Sequence, residues 1–165
     1  MADLHSIELT VNGQAQQRSV QPRQHLVDFL RNDLGLKGSH LGCEQGVCGA
    51  CTVEVDGAIV RGCLTLAVQA NGCSVRTIEG LSHDGDVSDL QEAFVRNSAL
   101  QCGFCTPGMV MAAMELLVHK PDATRAEVRE WMSGNFCRCT GYHAIVDAVC
   151  ETLATRAGRT ARGVA

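Results

Sequence analysis

Apolar and polar positions alternate through Ile7, Leu9 and Val11 and run into Asn12-Gly13, a dipeptide suited to the two-residue turn of a β-hairpin. Arg18 to Val20 can then form the return strand. The period changes next: Leu26, Val27, Leu30 and Leu34 recur at helical spacing and stop at Gly35, which predicts a short helix crossing the hairpin. From Gly38 to Cys51, glycines at 38, 42, 46 and 49 argue against any regular element and predict a loop. Thr52 to Val55, the Asp56-Gly57 turn and Ala58 to Val60 predict a second hairpin, and Ser74 to Ile78 a further strand.

Glu79 to Val87 is polar and turn-rich, and everything beyond it follows helical periodicity. The expected domains are therefore residues 1–80, a mixed sheet with one crossing helix, and residues 81–157, entirely helical, an α+β chain. Residues 158–165, rich in Arg, Gly and Thr, read as a flexible C-terminal tail. Four short helices are predicted. Ser88 and Gln91 form a capping box ahead of Leu90, Ala93 and Phe94, and Thr106-Pro107 supplies a hydroxyl cap and a first-turn proline for a helix running toward Pro121. Thr124 and Glu127 form a second capping box before Val128, Trp131 and Met132, with Gly134 as terminator. The last helix begins near Tyr142 and carries Ile145, Ala148, Val149 and Leu153. Met109, Met111 and Met114 read as bundle packing.

Each predicted domain is about 75 residues, a size at which apolar burial alone is marginal and a metal or partner is commonly needed. Aromatic residues are only 4%, so large aromatic cores cannot make up the difference, whereas there are 10 cysteines. A net charge of -4 without basic clusters leaves no electrostatic footprint for nucleic acid or an acidic membrane. No apolar run is long enough for a signal peptide or a membrane span, and a cytoplasmic location is expected. In that reducing compartment the cysteines point to metal ligation rather than disulfides.

Cys43, Cys48 and Cys51 have the C-x4-C-x2-C spacing of plant-type 2Fe-2S sites, and Cys63, a hairpin later, can supply the fourth thiolate. Structural zinc is the competing reading, but the Cys43–Cys48 separation is wider than the usual zinc pair. The second set is Cys102 and Cys105, then Cys137 and Cys139 after 31 intervening residues. Spacing alone leaves zinc and an iron-sulfur cluster both open there. Both pairs precede predicted helices, whose positive N-termini could face an anionic centre. Cys73 and Cys150 fall outside both sets and read as small buried hydrophobes. The histidines His5, His25, His40, His83, His119 and His143 share no ligand spacing; His143, just past Cys139, reads as a surface residue, with a hydrogen bond near the second set as the alternative. No G-x-G-x-x-G, phosphate loop, G-x-S-x-G or nucleophile–base pair occurs, so no substrate-converting site is expected on this chain.

Gly42-Cys43, Cys48-Gly49-Ala50-Cys51-Thr52-Val53, Gln101-Cys102-Gly103-Phe104-Cys105-Thr106-Pro107-Gly108 and Gly134-Asn135-Phe136-Cys137-Arg138-Cys139-Thr140-Gly141-Tyr142 together resemble the small iron-sulfur subunit of the molybdenum hydroxylases, the xanthine oxidase family. The resemblance spans nearly the whole chain. It implies a plant-ferredoxin-like β-grasp domain, a four-helix-bundle 2Fe-2S domain and a 2Fe-2S cluster at the second cysteine set. It further implies a large partner subunit carrying molybdopterin cytosine dinucleotide, usually a medium subunit carrying FAD, and a dimer of heterotrimers. On this resemblance the Cys102, Cys105, Cys137 and Cys139 cluster lies nearest molybdenum, with Cys139 beside the pterin and Gln101 hydrogen-bonding that cofactor. The Cys43, Cys48, Cys51 and Cys63 cluster faces flavin. The stretches Cys43 to Cys48 and Cys63 to Ala70 look most similar to subunits of enzymes hydroxylating N-heteroaromatic compounds such as quinoline. Carbon monoxide dehydrogenases and aldehyde oxidoreductases use similar small subunits. A free-standing carrier and a zinc-stabilised interaction module remain the rival readings.

Overall fold

The computed structural model describes residues 3–84 and 88–162. Readings made for the His83 side chain and for residues 85–87 and 163–165 lie outside the described residues. Strands β1 (His5–Val11) and β2 (Gln14–Val20) form the first hairpin, with Asn12 at φ 49 and Gly13 at φ 78 making its left-handed turn. Strands β3 (Thr52–Val55) and β4 (Ala58–Arg61) repeat the device around Asp56 and Gly57. With β5 (Ser74–Arg76) they complete a five-stranded sheet of order β2-β1-β5-β3-β4, in which only β1 and β5 run parallel.

The crossing helix is shorter and wider than the 3.6-residue period predicts. One α-helical turn, α1 (Leu26–Asp28), passes into a π-helical turn over Phe29–Asp33, closed by Leu34 N–H donating to Phe29 O at 3.2 Å. Both Phe29 and Leu30 are fully buried against the sheet. Burying such a side chain contributes about 1.5–3 kcal/mol, and both enter this core despite the irregular turn.

The turn-rich segment is partly helical. Ile78 does not extend β5; it opens helix α2 (Ile78–Asp84), whose Leu81 is fully buried in the helical core. Thr77 ends the strand because its N–H donates to Asn12 Oδ1 at 2.9 Å and its hydroxyl donates to Glu79 at 2.6 Å. Helices α3 (Ser88–Arg96), α4 (Thr106–His119), α5 (Arg125–Met132) and α6 (His143–Arg162) follow, so α6 continues past Ala157. The Ser88–Gln91 box is not formed as expected: Gln91 Nε2 donates to Ser82 Oγ at 2.8 Å. The Thr124–Glu127 box is formed, with Glu127 N–H donating to Thr124 Oγ1 and Thr124 N–H to Glu127 Oε2 at 2.9 Å. Such a cap stabilises a helix by about 1 kcal/mol. At α4 the cap is Cys105 rather than Thr106, one residue earlier than the sequence suggests. Met109 and Met111 are buried in the bundle core and Met114 packs against it. Arg96 on α3 and Asn97 in the turn just past it bond Glu151 on α6, and Arg156 reaches Asp89, which ties the outer helices together.

The two halves share an interface. Helix α4 lies against β3 and β4, and the Ile59 N–H donates to Glu115 at 3.2 Å. None of the described helices is long and apolar enough to cross a membrane.

Candidate metal centres

In the first thiol loop the backbone turns left-handed at Glu44 (φ 54), Gly46 (φ 75) and Gly49 (φ 73), which aims successive N–H groups inward. The N–H groups of Gln45 and Cys48 both donate to Cys43 Sγ at 3.4 Å. Those bonds, led by the one from Gln45, lower the Cys43 pKa to about 7, so this thiol is prepared to ionise. Cys51 is the opposite case. Burial pushes it up to about 11, and it contacts Cys63 on the far side of the loop. Val27 of α1 covers both thiols, held there by its N–H bond to Gly62 O at 3.1 Å. Gly62 permits that seat, since a Cβ there would stand 3.1 Å from both Val27 Cβ and Cys51 O.

The second set gathers around the starts of α4 and α6. Burial pushes the Cys105 thiol up to about 12, beside Cys137. Burial also acts to raise Cys137, but the Thr140 hydroxyl at 3.1 Å and the neighbouring N–H groups hold it below the ordinary value. Cys137 N–H in turn donates to the Tyr142 hydroxyl at 2.9 Å. At the surface Cys102 and Cys139 are exposed with sulfurs 3.6 Å apart, an interaction that raises the Cys139 thiol. Gln101 Nε2 donates to Cys139 O at 3.1 Å.

The structure thus brings together all the sequence-predicted thiols as close pairs, Cys43 with Cys48, Cys51 with Cys63, Cys102 with Cys139 and Cys105 with Cys137. Among the described residues no three His, Cys, Asp or Glu side chains converge as ligands for a single metal ion. Two pairs per site suit a binuclear centre that takes two thiolates on each iron, and they suit a tetrahedral zinc less well. Metal binding also answers the raised pKa values of Cys51 and Cys105, because a cation supplies the charge that lets a buried thiol release its proton. Thr106 Oγ1, next to Cys105, is buried without a partner. A buried hydroxyl needs an acceptor, and cluster sulfur beside Cys105 would be one.

The two loops meet directly. Phe136 N–H, one residue before Cys137, donates to Cys48 O at 2.8 Å. Asn135, only 2% exposed, donates to Gly49 O at 3.2 Å. His40 stacks on Phe104 with ring centroids 4.7 Å apart, and its Nδ1 is 2.8 Å from Phe104 O. His40 is therefore a joint between the halves, whereas His143 stands exposed at the start of α6. Cys73 and Cys150 stay outside both sets; each is partly exposed, and Cys73 contacts Asp56. The sequence offers Thr52, Asn135, Thr140 and Tyr142 only as motif positions without a role and does not single out Arg61, yet these five residues fix the thiol loops. Their signal, polar side chains within a few residues of the cysteines, is visible in the chain but does not say what they touch.

Two family models match the chain: a 2Fe-2S iron-sulfur cluster binding domain over residues 9–102 and a [2Fe-2S] binding domain over residues 77–150. The small subunit of nicotine 6-hydroxylase from Paenarthrobacter nicotinovorans is 57% identical over 91% of this chain and 90% of its own. Subunit gamma of caffeine dehydrogenase from Pseudomonas sp. strain CBB1 is 53% identical over 88% of this chain and 89% of its own. Among solved structures, quinoline 2-oxidoreductase from Pseudomonas putida 86 superposes with a TM-score of 0.88 at 54% identity, covering 94% of this chain and 97% of that one. With two 2Fe-2S-binding domains in an α+β chain, the protein belongs to the small iron-sulfur, electron-transfer subunits of the molybdenum hydroxylases, the xanthine oxidase family.

Proposed function

We propose that this chain connects a large subunit carrying molybdopterin cytosine dinucleotide to a medium subunit carrying FAD, in a cytoplasmic dimer of heterotrimers that hydroxylates an N-heteroaromatic substrate. Cys43, Cys48, Cys51 and Cys63 hold one 2Fe-2S cluster, in a domain spanning residues 1–80. Cys102, Cys105, Cys137 and Cys139 hold the other, in a domain spanning 81–157. Bound clusters supply one-electron redox chemistry between a two-electron substrate oxidation and the acceptor. Within each set, each close thiol pair would supply two ligands to one iron. The N–H donors at Cys43 and the Thr140 hydroxyl at Cys137 stabilise the thiolates and tune the potential.

The observation that carries this reading is the direct bond between the two loops, Phe136 N–H to Cys48 O, which gives two thiol sets a continuous packed path. Each set also opens toward a surface where a partner can dock. Cys102 and Cys139 lie exposed in the same loops as exposed Leu100, Phe104 and Phe136, and we assign this mouth to the molybdenum subunit, with Cys139 beside the pterin and Gln101 bonding it. Val47 and Leu64, 51% and 62% exposed, flank the Cys43–Cys63 set and are assigned to the flavin side. Apolar side chains exposed around a functional mouth are a usual mark of a protein interface. The substrate class follows the names of the nicotine and caffeine enzymes and of the quinoline enzyme described above.

Purification of the native assembly tests the proposal. Molybdenum and flavin subunits should co-purify in equal amounts, and anaerobic addition of nicotine, caffeine or quinoline in turn should bleach the iron-sulfur absorbance with at least one of them. A monomer that no such compound reduces would favour the free-standing carrier.

A further inference from the structure

Arg61, the last residue of β4, is an ordinary strand cation in sequence, but all three arms of its guanidinium are used. Nε donates to Gly46 O at 3.3 Å, Nη1 donates to Thr52 Oγ1, and Nη2 donates to Gly134 O at 2.6 Å. Gly46 lies inside the first thiol loop, and Gly134 opens the segment leading to Cys137. Thr52 is 2% exposed; its hydroxyl donates to Gly49 O at 2.6 Å and accepts from Asn135 Nδ2 at 3.5 Å. One planar fork thus fixes both loops on either side of the Phe136–Cys48 bond. Its bonding partners are all neutral. Among the described residues no carboxylate pairs with Arg61, so a full positive charge stands against the first thiol loop without an anion from the protein.

We propose that Arg61 is a positioning residue that holds the two thiol loops in electron-transfer register, and that its charge favours the reduced state of the centre held by Cys43, Cys48, Cys51 and Cys63. The inference rests on the cluster assignment above. The step involved is a single electron leaving the Cys102–Cys139 centre and arriving at the Cys43–Cys63 centre, with no proton moved and no bond broken. Reduction adds negative charge to a site already anionic, and a nearby uncompensated cation offsets that cost, more strongly where water is excluded. The charge touches both sides, but Cys48, Cys51 and Cys63 of the first set lie within two residues of Gly46, Thr52 and Arg61 itself, whereas Arg61 bonds the C-terminal side at Gly134 alone, three residues before Cys137. The effect is therefore unequal between the two centres, and it makes the N-terminal one the better acceptor.

The test uses the purified complex with Arg61→Gln and Arg61→Lys, read by redox titration of the two iron-sulfur EPR signals, by their magnetic interaction at low temperature and by the rate of intramolecular transfer. Arg61→Gln should lower the midpoint potential of the signal assigned to Cys43–Cys63 and leave the other in place. Arg61→Lys keeps the charge but replaces the three-armed fork, so that potential should hold while the magnetic interaction weakens and transfer slows about tenfold, as expected for a small loss of alignment. Unchanged potentials in Arg61→Gln with both signals intact would overturn the electrostatic role. An unaltered magnetic interaction and rate in Arg61→Lys would overturn the positioning role. Equal shifts of both signals in both variants would show general loosening and overturn both. If the unmodified complex lacks one of the two signals, the cluster assignment itself has failed, a result separate from any of these.

Discussion

Substituting Cys105→Ala in the assembled complex should abolish substrate-driven reduction of the terminal acceptor, by at least about 100-fold, or about 2.7 kcal/mol of barrier. Cys105 caps α4 and sits against Cys137 in the buried half of its site. Alanine adopts the αR geometry observed there (φ -82, ψ -16), so the helix keeps its start while the centre loses an iron ligand. The other four thiols belong to loops of the sheet domain, so the Cys43–Cys63 EPR signal should persist and serve as the folding control. Iron content should fall by about half. Full activity with both signals present would remove Cys105 from the ligand set.

The second large effect is expected from Gly108→Ala. A Cβ at Gly108 would stand 2.3 Å from Gly49 O and 3.0 Å from Asn135 Nδ2, and the first of these atoms is backbone that no rotamer can clear. Helix α4 can approach the thiol loop only because this position has no side chain. Forcing the two apart costs about 2–3 kcal/mol, a fall of about 5–10 °C in Tm for a chain of this size. The Phe136–Cys48 contact between the centres should lengthen as well and slow transfer. Gly158→Ala provides the contrast. It lies in α6 with no atom within 4 Å of the place a Cβ would take and no left-handed backbone, and alanine there should stabilise by about 0.5–1 kcal/mol. Equal melting temperatures for Gly108→Ala and the parent, measured by thermal denaturation monitored at the cluster absorbance, would contradict the packing argument.

What could be read from the sequence was local. Asn12-Gly13 and Asp56-Gly57 impose their hairpins through backbone conformations that few other dipeptides tolerate, and Thr124 with Glu127 caps α5 within four residues. The eight cysteines could be sorted by spacing because each set is built from two short loops. What could not be read depends on partners distant in the chain. Helix α2 was hidden because the residue ahead of it, Thr77, is held by Asn12, 65 positions earlier. The π-helical turn at Phe29–Asp33 reflects how Phe29 and Leu30 fit the sheet, and no local rule encodes it. By propensity Gly108 only weakens α4, and its value as a contact point depends on Gly49 from the other domain. Thr52, Arg61 and Asn135 carry ordinary polar side chains whose importance lies in Gly46, Gly49 and Gly134 carbonyls contributed by separate segments.

If eight thiolates hold two binuclear iron centres, elemental analysis with EPR of the dithionite-reduced complex will count them. About four irons and four acid-labile sulfides per chain, with two distinguishable S = 1/2 signals, are predicted. Zinc in either site, or a single signal with half the iron, would contradict that arrangement.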